Sequence, residues 1–316
     1  MKHCLFVIAA LLVSGVCRAD HPQVIVVVGA EGTPEFGVQF RTWAQRWQAA
    51  ARQGQAEAAI IGTTAPADSD RAALQNALKN AAQGASPLWL VLIGHGTFDG
   101  KNAKFNLRGN DVSAAELAQW LRDIERPIAI VNCSSSSGGF LSELSGKRRV
   151  VVTATKSGHE YNFARFGDYL SAAIGDPRCD LDKDEQTSLL EAFLSASAQV
   201  REFYATESRL ATEHALLDDN GDRLGTPADW FRGLKPTKAA KNGAALDGAL
   251  AGTFVLVANA REDQLSAAVC QQRAELEQQL ADLRRRKDEL DEAAYFTQLE
   301  ALLVALARLA QPPAAD

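Results

Sequence analysis

The sequence predicts an α/β fold: a mostly parallel sheet flanked by helices, followed by a C-terminal helical hairpin. Apolar runs of strand length at 24–28, 58–61, 88–93, 127–133 and 149–155 are continuous rather than alternating, as strands buried on both faces are. Between them lie segments with apolar residues three and four apart, giving the strand–helix alternation of a parallel sheet. From Gln264 onward the composition shifts to Glu, Gln, Arg, Leu and Ala, with leucines in stripes. At 316 residues, 47% apolar and with a net charge of −6, the chain has room for one large domain, 20–260, and an accessory element, 261–316. Mild acidity without a basic, aromatic-laced stripe argues against nucleic acid as the partner.

The elements follow in order. Val24 to Val28 forms the first strand, and Gly29, Gly32 and Pro34 punctuate its end. Glu35 to Gln53 is a helix, because Phe36, Phe40, Trp43 and Trp47 recur at helical spacing. Ala58 to Ile61 is a strand, and Ser69 to Ala82 a helix with Leu74 and Leu78 on one face. Leu88 to Ile93 is a strand ending at His95 and Gly96, followed by a hairpin over 101–108. A helix from Ser113 to Leu121 opens on a capping box of Ser113 and Glu116. The strand from Pro127 ends at Cys133; a short helix near Leu141 and a strand from Arg149 to Thr155 come next. Beyond it, Phe163 to Ile174 and Ser188 to Leu210 read as helices, and Thr253 to Val257 as a last strand, edge or central. The tail pairs a helix carrying Leu276, Leu280, Leu283 and Leu290 with a second from Glu292 carrying Tyr295, Leu299, Leu302, Leu306 and Leu309. This hairpin either packs on the domain or mediates self-association.

Residues 1–19 read as a secretory signal peptide: Lys2 gives a positive start, 5–13 an apolar core, and Ala19 a small residue before cleavage. The stretch is short for a membrane span, so the expectation is an exported protein, periplasmic or secreted, with no stable span after removal; the alternative is a retained anchor or a lipid attached at Cys17, where Val16 is a poor fit for the small residue such a site wants. Cleavage leaves Cys133, Cys179 and Cys270. An odd number leaves at least one thiol unpaired unless chains are joined. Cys133 is the natural free thiol, with Cys179 and Cys270 an optional disulfide.

Two strands that each end in a reactive side chain carry the functional reading. If they are neighbours in a parallel sheet, His95 and Cys133 lie side by side at its carboxyl edge, where open α/β sheets place their chemistry. A thiol becomes nucleophilic on deprotonation, and a nearby histidine takes that proton and later returns it to the leaving group. The amides of Gly96 and Cys133 are candidate donors for an oxyanion. The competing reading makes Cys133 a buried structural cysteine and His95 a satisfied strand-end histidine.

An apolar strand ending in His-Gly, followed by one ending in Cys, small residues and glycine, resembles the caspase-like cysteine peptidases, which include legumain, the caspases and the gingipains. The matching residues are Ile93 to Gly96 and Ile130 to Cys133 with Ser134 to Gly139. The resemblance spans roughly 24–216 and is nearest to exported bacterial legumain-type members. It implies a caspase-like α/β sandwich and peptide-bond hydrolysis through a thioester, with His95 as base and acid and Cys133 as nucleophile acting on a peptide or protein substrate. It also places part of a specificity pocket at Thr155 to Glu160. The alternative is a catalytically idle caspase-like protein that binds partners through the same fold. His159 is either a competing catalytic base or a loop histidine, the loop reading being preferred, and Asp99 either faces the substrate or caps the hairpin loop. A serine hydrolase of the α/β-hydrolase type would need Gly-x-Ser-x-Gly and a late histidine, and the motif is absent.

The segment Asp180, Asp182, Asp184, Gln186, Ser188, Glu191 supplies oxygens at positions 1, 3, 5, 7, 9 and 12 of a twelve-residue loop, the EF-hand schedule for structural calcium. It departs at the sixth position, where Glu185 replaces glycine at a cost of about 1–2 kcal/mol for a left-handed residue. The alternative is a solvated acidic helix N-terminus. A second stretch, Asp218, Asn220, Asp222, Thr226 and Asp229, has similar spacing, and a turn of Asp, Asn and Gly explains it equally well. His214 has no ligand-type neighbour in sequence that would make a zinc site.

Overall fold

The computed structural model describes residues 21–64, 66, 69–240, 244–259 and 267–309. The expected signal peptide and the Cys270 side chain lie outside the described residues.

Five strands form the parallel body of the sheet: β1 (Gln23–Val28), β2 (Glu57–Ile61), β3 (Leu88–Ile93), β7 (Ile128–Asn132) and β8 (Arg149–Thr153). Between β3 and β7 a separate three-stranded sheet is built from β4 (Gly96–Phe98), β5 (Ala103–Phe105) and β6 (Val112–Ser113). Two antiparallel strands, β9 (Leu216–Asp218) and β10 (Thr226–Pro227), extend the main sheet to seven in the order β10-β9-β8-β7-β3-β1-β2. The α/β architecture expected from the sequence is therefore present, and β3 and β7 are direct parallel neighbours, Leu92 opposite Asn132.

Period-2 alternation divides the sheet's side chains between two layers. Val24, Val26, Val28, Trp89, Val91, Ile93, Ala129 and Val131 face α1 (Pro34–Gln53) and, beyond Thr155, helices formed by Phe166–Ala173 and Leu189–Thr206. Ile25, Val27, Leu90, Leu92, Ile128, Ile130 and Val151 face α2 (Asp70–Ala81), α3 (Ala114–Trp120) and α4 (Leu141–Leu144). The helices at Phe166–Ala173 and Leu189–Thr206 are α5 and α6. The Ser113 and Glu116 capping box forms as expected, and Ser188 with Glu191 makes a second one at the start of α6.

Two expectations need correction. Thr253 to Val257 is not a sheet strand: residues Ala251–Thr253 form a 3-10 turn, and Val255 makes one isolated bridge to Ser188. Its apolar residues serve the core instead: the buried Phe254 ring lies 5.5 Å from Trp89, and the Phe254 carbonyl accepts the Leu189 amide at 2.8 Å, satisfying a donor at the start of α6. Cys179 is a free thiol, its Sγ 3.2 Å from the Ser195 hydroxyl, so the optional disulfide is not formed.

The tail is a helical hairpin, α7 (Ala267–Arg285) and α8 (Glu292–Leu309), with Leu280, Leu283 and Tyr295 buried. Among the described residues, no helix is long and apolar enough to cross a membrane.

Candidate functional site

The strand-end residues sit at the carboxyl edge of β3 and β7, as the topology requires, and Cys133 is the more deeply buried of the two. The same alternation that puts Ala129 and Val131 on the α1 and α5 side sends Cys133 there too, into the apolar core, with 1% of its surface exposed. Trp43 and Gly167 enclose it: a Cβ on Gly167 would lie 2.7 Å from the Cys133 Cβ and 2.8 Å from the Trp43 ring. Burial, with a smaller contribution from the charge of Glu213, pushes the thiol up to about 12, so it stays protonated at neutral pH.

His95 has a different setting. Its Nε2 lies 3.3 Å from the Glu31 carbonyl, and its ring meets Phe36 and Phe40 edge-on at centroid distances of 5.0 and 5.2 Å. Burial lowers its pKa, the Glu31 contact opposing in part, so the imidazole is neutral near pH 7. The structure records no hydrogen bond between His95 and Cys133.

Both predicted oxyanion donors are already committed. The Cys133 amide continues the parallel ladder, donating to Leu92 O at 2.9 Å. The Gly96 amide donates to the Ser135 hydroxyl at 3.1 Å, and that hydroxyl donates in turn to Gly96 O at 3.3 Å. In this arrangement Trp43 and Gly167 close over the Cys133 thiol, and neighbouring groups hold the Gly96 and Cys133 amides.

Ser135 is the residue that sequence reasoning missed. Gly96 approaches it so closely that a Cβ there would lie 2.3 Å from the Ser135 carbonyl. The rest of the serine run is a turn stitched into its surroundings. The Ser134 hydroxyl donates to Asn132 Oδ1 at 2.7 Å, and the Ser137 hydroxyl accepts the Thr155 amide at 3.1 Å. Ser136 stands at φ 57°, its amide on Glu160 O and its buried hydroxyl without a partner. The legible signal was the run itself: four small hydroxyl residues after a strand end are a loop able to bond back to its neighbours.

The loop from Thr155 to Glu160 does border this edge. Glu160 anchors it, accepting from the Lys156 and His214 amides at 2.9 and 3.2 Å and pairing with His214 Nδ1. His159 is an exposed loop residue edge-on to Phe98, as expected. Asp99 caps its turn, accepting from the Lys101 and Asn102 amides at 2.9 and 2.7 Å; those bonds hold its carboxyl down at about 2.

In the acidic loop, carboxylate oxygens of Asp180, Asp182 and Asp184 lie within 4.8 Å of one another. The other three predicted ligands are engaged: Glu191 Oε1 accepts the Leu181 amide and Oε2 the Ser188 amide and hydroxyl, each at 2.7 Å. The Gln186 side chain donates to Asp184 Oδ2 at 3.0 Å. Glu185 adopts φ 72° and Lys183 φ 66°, so the sixth position has the left-handed backbone that glycine would supply. Burial, then mutual repulsion, raises the pKa of Asp182; burial raises that of Asp184 against its bonds to Gln186. Three converging carboxylates fit a calcium ion; the Lys183 and Glu185 amides compete for Asp180, and the capping box and the Leu181 amide for Glu191.

The chain is similar to the crystal structure of the Drosophila initiator caspase Dronc, at 12% identity and a TM-score of 0.46, over 66% of this chain and 83% of that one. It is similar to caspase-1 from Spodoptera frugiperda, at 9% identity and 0.43, over 64% and 87%. Raptor from Chaetomium thermophilum is similar at 13% identity and 0.35, over 50% of this chain and 18% of that one. No protein-family model matches the chain, and no curated protein matches it significantly. These likenesses carry no argument about chemistry, which rests on the residues above.

Proposed function

We propose that this chain is a caspase-like protein that recognises a peptide or protein partner at the carboxyl edge of its sheet without thiol chemistry. One observation carries the reading: the Cys133 thiol lies in the apolar core, 1% exposed, where burial pushes it up to about 12 and keeps it protonated. The edge itself offers aromatic surface, with Phe36 and Phe163 stacked at 4.5 Å beside His95 and Tyr161 75% exposed. Rings of this kind give large contact area at low entropic cost.

A thiol-reactive probe is expected to leave Cys133 unlabelled in the native protein and to label it in denaturant. A peptide library is expected to yield binders and no cleavage, and Tyr161→Ala with Phe163→Ala to weaken the binders. Native labelling of Cys133 that disappears in His95→Ala overturns the proposal and restores the cysteine peptidase.

A second reading has one contact in its favour: Ser135 is the hydroxyl held on Gly96, directly after His95. If acyl transfer occurs here, a fluorophosphonate modifies Ser135 in the wild type and fails to do so in His95→Ala.

Two further parts of the proposal concern calcium and export. Calcium bound at Asp180, Asp182 and Asp184 would neutralise three crowded carboxylates and brace the start of α6. Thermal stability should then rise with calcium, and by less in Asp182→Ala than in the wild type. Export through residues 1–19 is tested by N-terminal sequencing of the mature protein.

A further inference from the structure

Carboxylates of two kinds gather at the connection from β9 to β10, Asp247 reaching it from further along the chain. Asp219 and Asp247, 9% and 1% exposed, are fully engaged. Asp219 accepts the Gly248 amide through Oδ1 and the Ala251 amide through Oδ2, each at 2.8 Å. Asp247 accepts the Asp219 and Asn220 amides through Oδ1, at 2.9 and 3.1 Å, and the Thr226 hydroxyl through Oδ2 at 2.5 Å.

Asp218 and Asp222 differ. Asp218, 1% exposed, uses Oδ1 for the Gly221 amide at 3.0 Å, and Asp222 uses Oδ1 for the Leu224 amide at 2.8 Å. The second oxygen of each is buried and has no hydrogen-bond partner. A carboxylate oxygen taken out of water without a donor is unfavourable, and two on one loop compound it by repulsion. Arg223, the basic residue of the loop, is exposed.

We propose that a hard divalent cation of the calcium class binds between the two orphaned oxygens of Asp218 and Asp222. The donors are oxygens alone, which favours calcium over zinc or copper. Two carboxylates head the set, and the loop also carries Asn220, the Leu224 carbonyl and the Thr226 hydroxyl at its third, seventh and ninth positions. Asp218 is the last residue of β9, paired with Val151 of β8, so the ion would tie the antiparallel edge of the sheet to its loop. This site is separate from the Asp180 loop.

The experiment uses the full chain, freed of metal by a chelator, with calcium as the probe. Calorimetric titration of Asp182→Ala, in which the Asp180 loop is disabled, is expected to show one calcium equivalent bound and a higher melting temperature. In Asp222→Asn, which keeps an oxygen for the Leu224 amide, that equivalent is lost when the two substitutions are combined. Without calcium, Asp222→Asn should melt at or above the wild type because repulsion is relieved. With millimolar calcium it should melt below the wild type. Absence of binding in Asp182→Ala overturns the proposal, as does an Asp222→Asn effect of the same sign and size with and without calcium. Loss of calcium response in Asp182→Ala alone identifies the Asp180 loop as the sole site.

Discussion

Gly167 of α5 faces Cys133 at the end of β7 so closely that a side chain on Gly167 would displace Cys133. The pair joins helix to sheet at the point where the sequence pattern placed a nucleophile. Gly167→Ala is expected to destabilise the protein by about 1–3 kcal/mol through overpacking. Cys133→Ser should cost about 1–3 kcal/mol, because its hydroxyl enters an apolar site without a partner. Urea unfolding checks both; stability equal to the wild type in either variant would show the thiol site to be open.

The Ser135 hydroxyl is the partner of a buried amide rather than a free group. Ser135→Ala should therefore lose about 1–3 kcal/mol, leaving the Gly96 amide unsatisfied. Amide hydrogen exchange at Gly96 should accelerate in the same variant.

Stability should depend on pH through Asp247. Burial and the nearby Asp219 and Asp218 charges raise its carboxyl from 3.8 to about 7, against the bonds it accepts. A raised folded-state value means its contribution is full below the unfolded value and is lost as pH rises through about 7. With chelator present, melting temperature measured across that window should fall for the wild type relative to Asp247→Asn, whose neutral amide keeps an acceptor for the Asp219 and Asn220 amides. Parallel curves for the two proteins would refute the assignment.

Glu185 holds a left-handed backbone at φ 72°. Glu185→Gly removes a strain of about 1–2 kcal/mol and returns about 0.5–1 kcal/mol in unfolded-chain entropy. The expected outcome in chelator is a melting temperature equal to or above the wild type, whereas an ordinary loop position would lose stability.

The layers were legible because each rests on local pattern. Continuous apolar runs identified β1, β3, β7 and β8, and Phe36, Phe40, Trp43 and Trp47 identified α1. Thr253 to Val257 misled because a short apolar run satisfies the core as well as a strand does: Phe254 packs on Trp89 with only one bridge formed. The site failed for a different reason. Strand-end position put Cys133 at the right edge of the sheet, but Trp43 of α1 and Gly167 of α5 close over it there. The Ser135 contact depends on how a turn folds back on β4, which no spacing encodes.

The antiparallel flank of the sheet also governs assembly. Strand β10 is two residues long and its second residue, Pro227, carries no amide hydrogen. A neighbouring chain seeking to continue the sheet there meets almost no ladder to copy. Strand-to-strand polymerisation is blocked on that flank, leaving any association of copies to side-chain surfaces or to the opposite margin at β2.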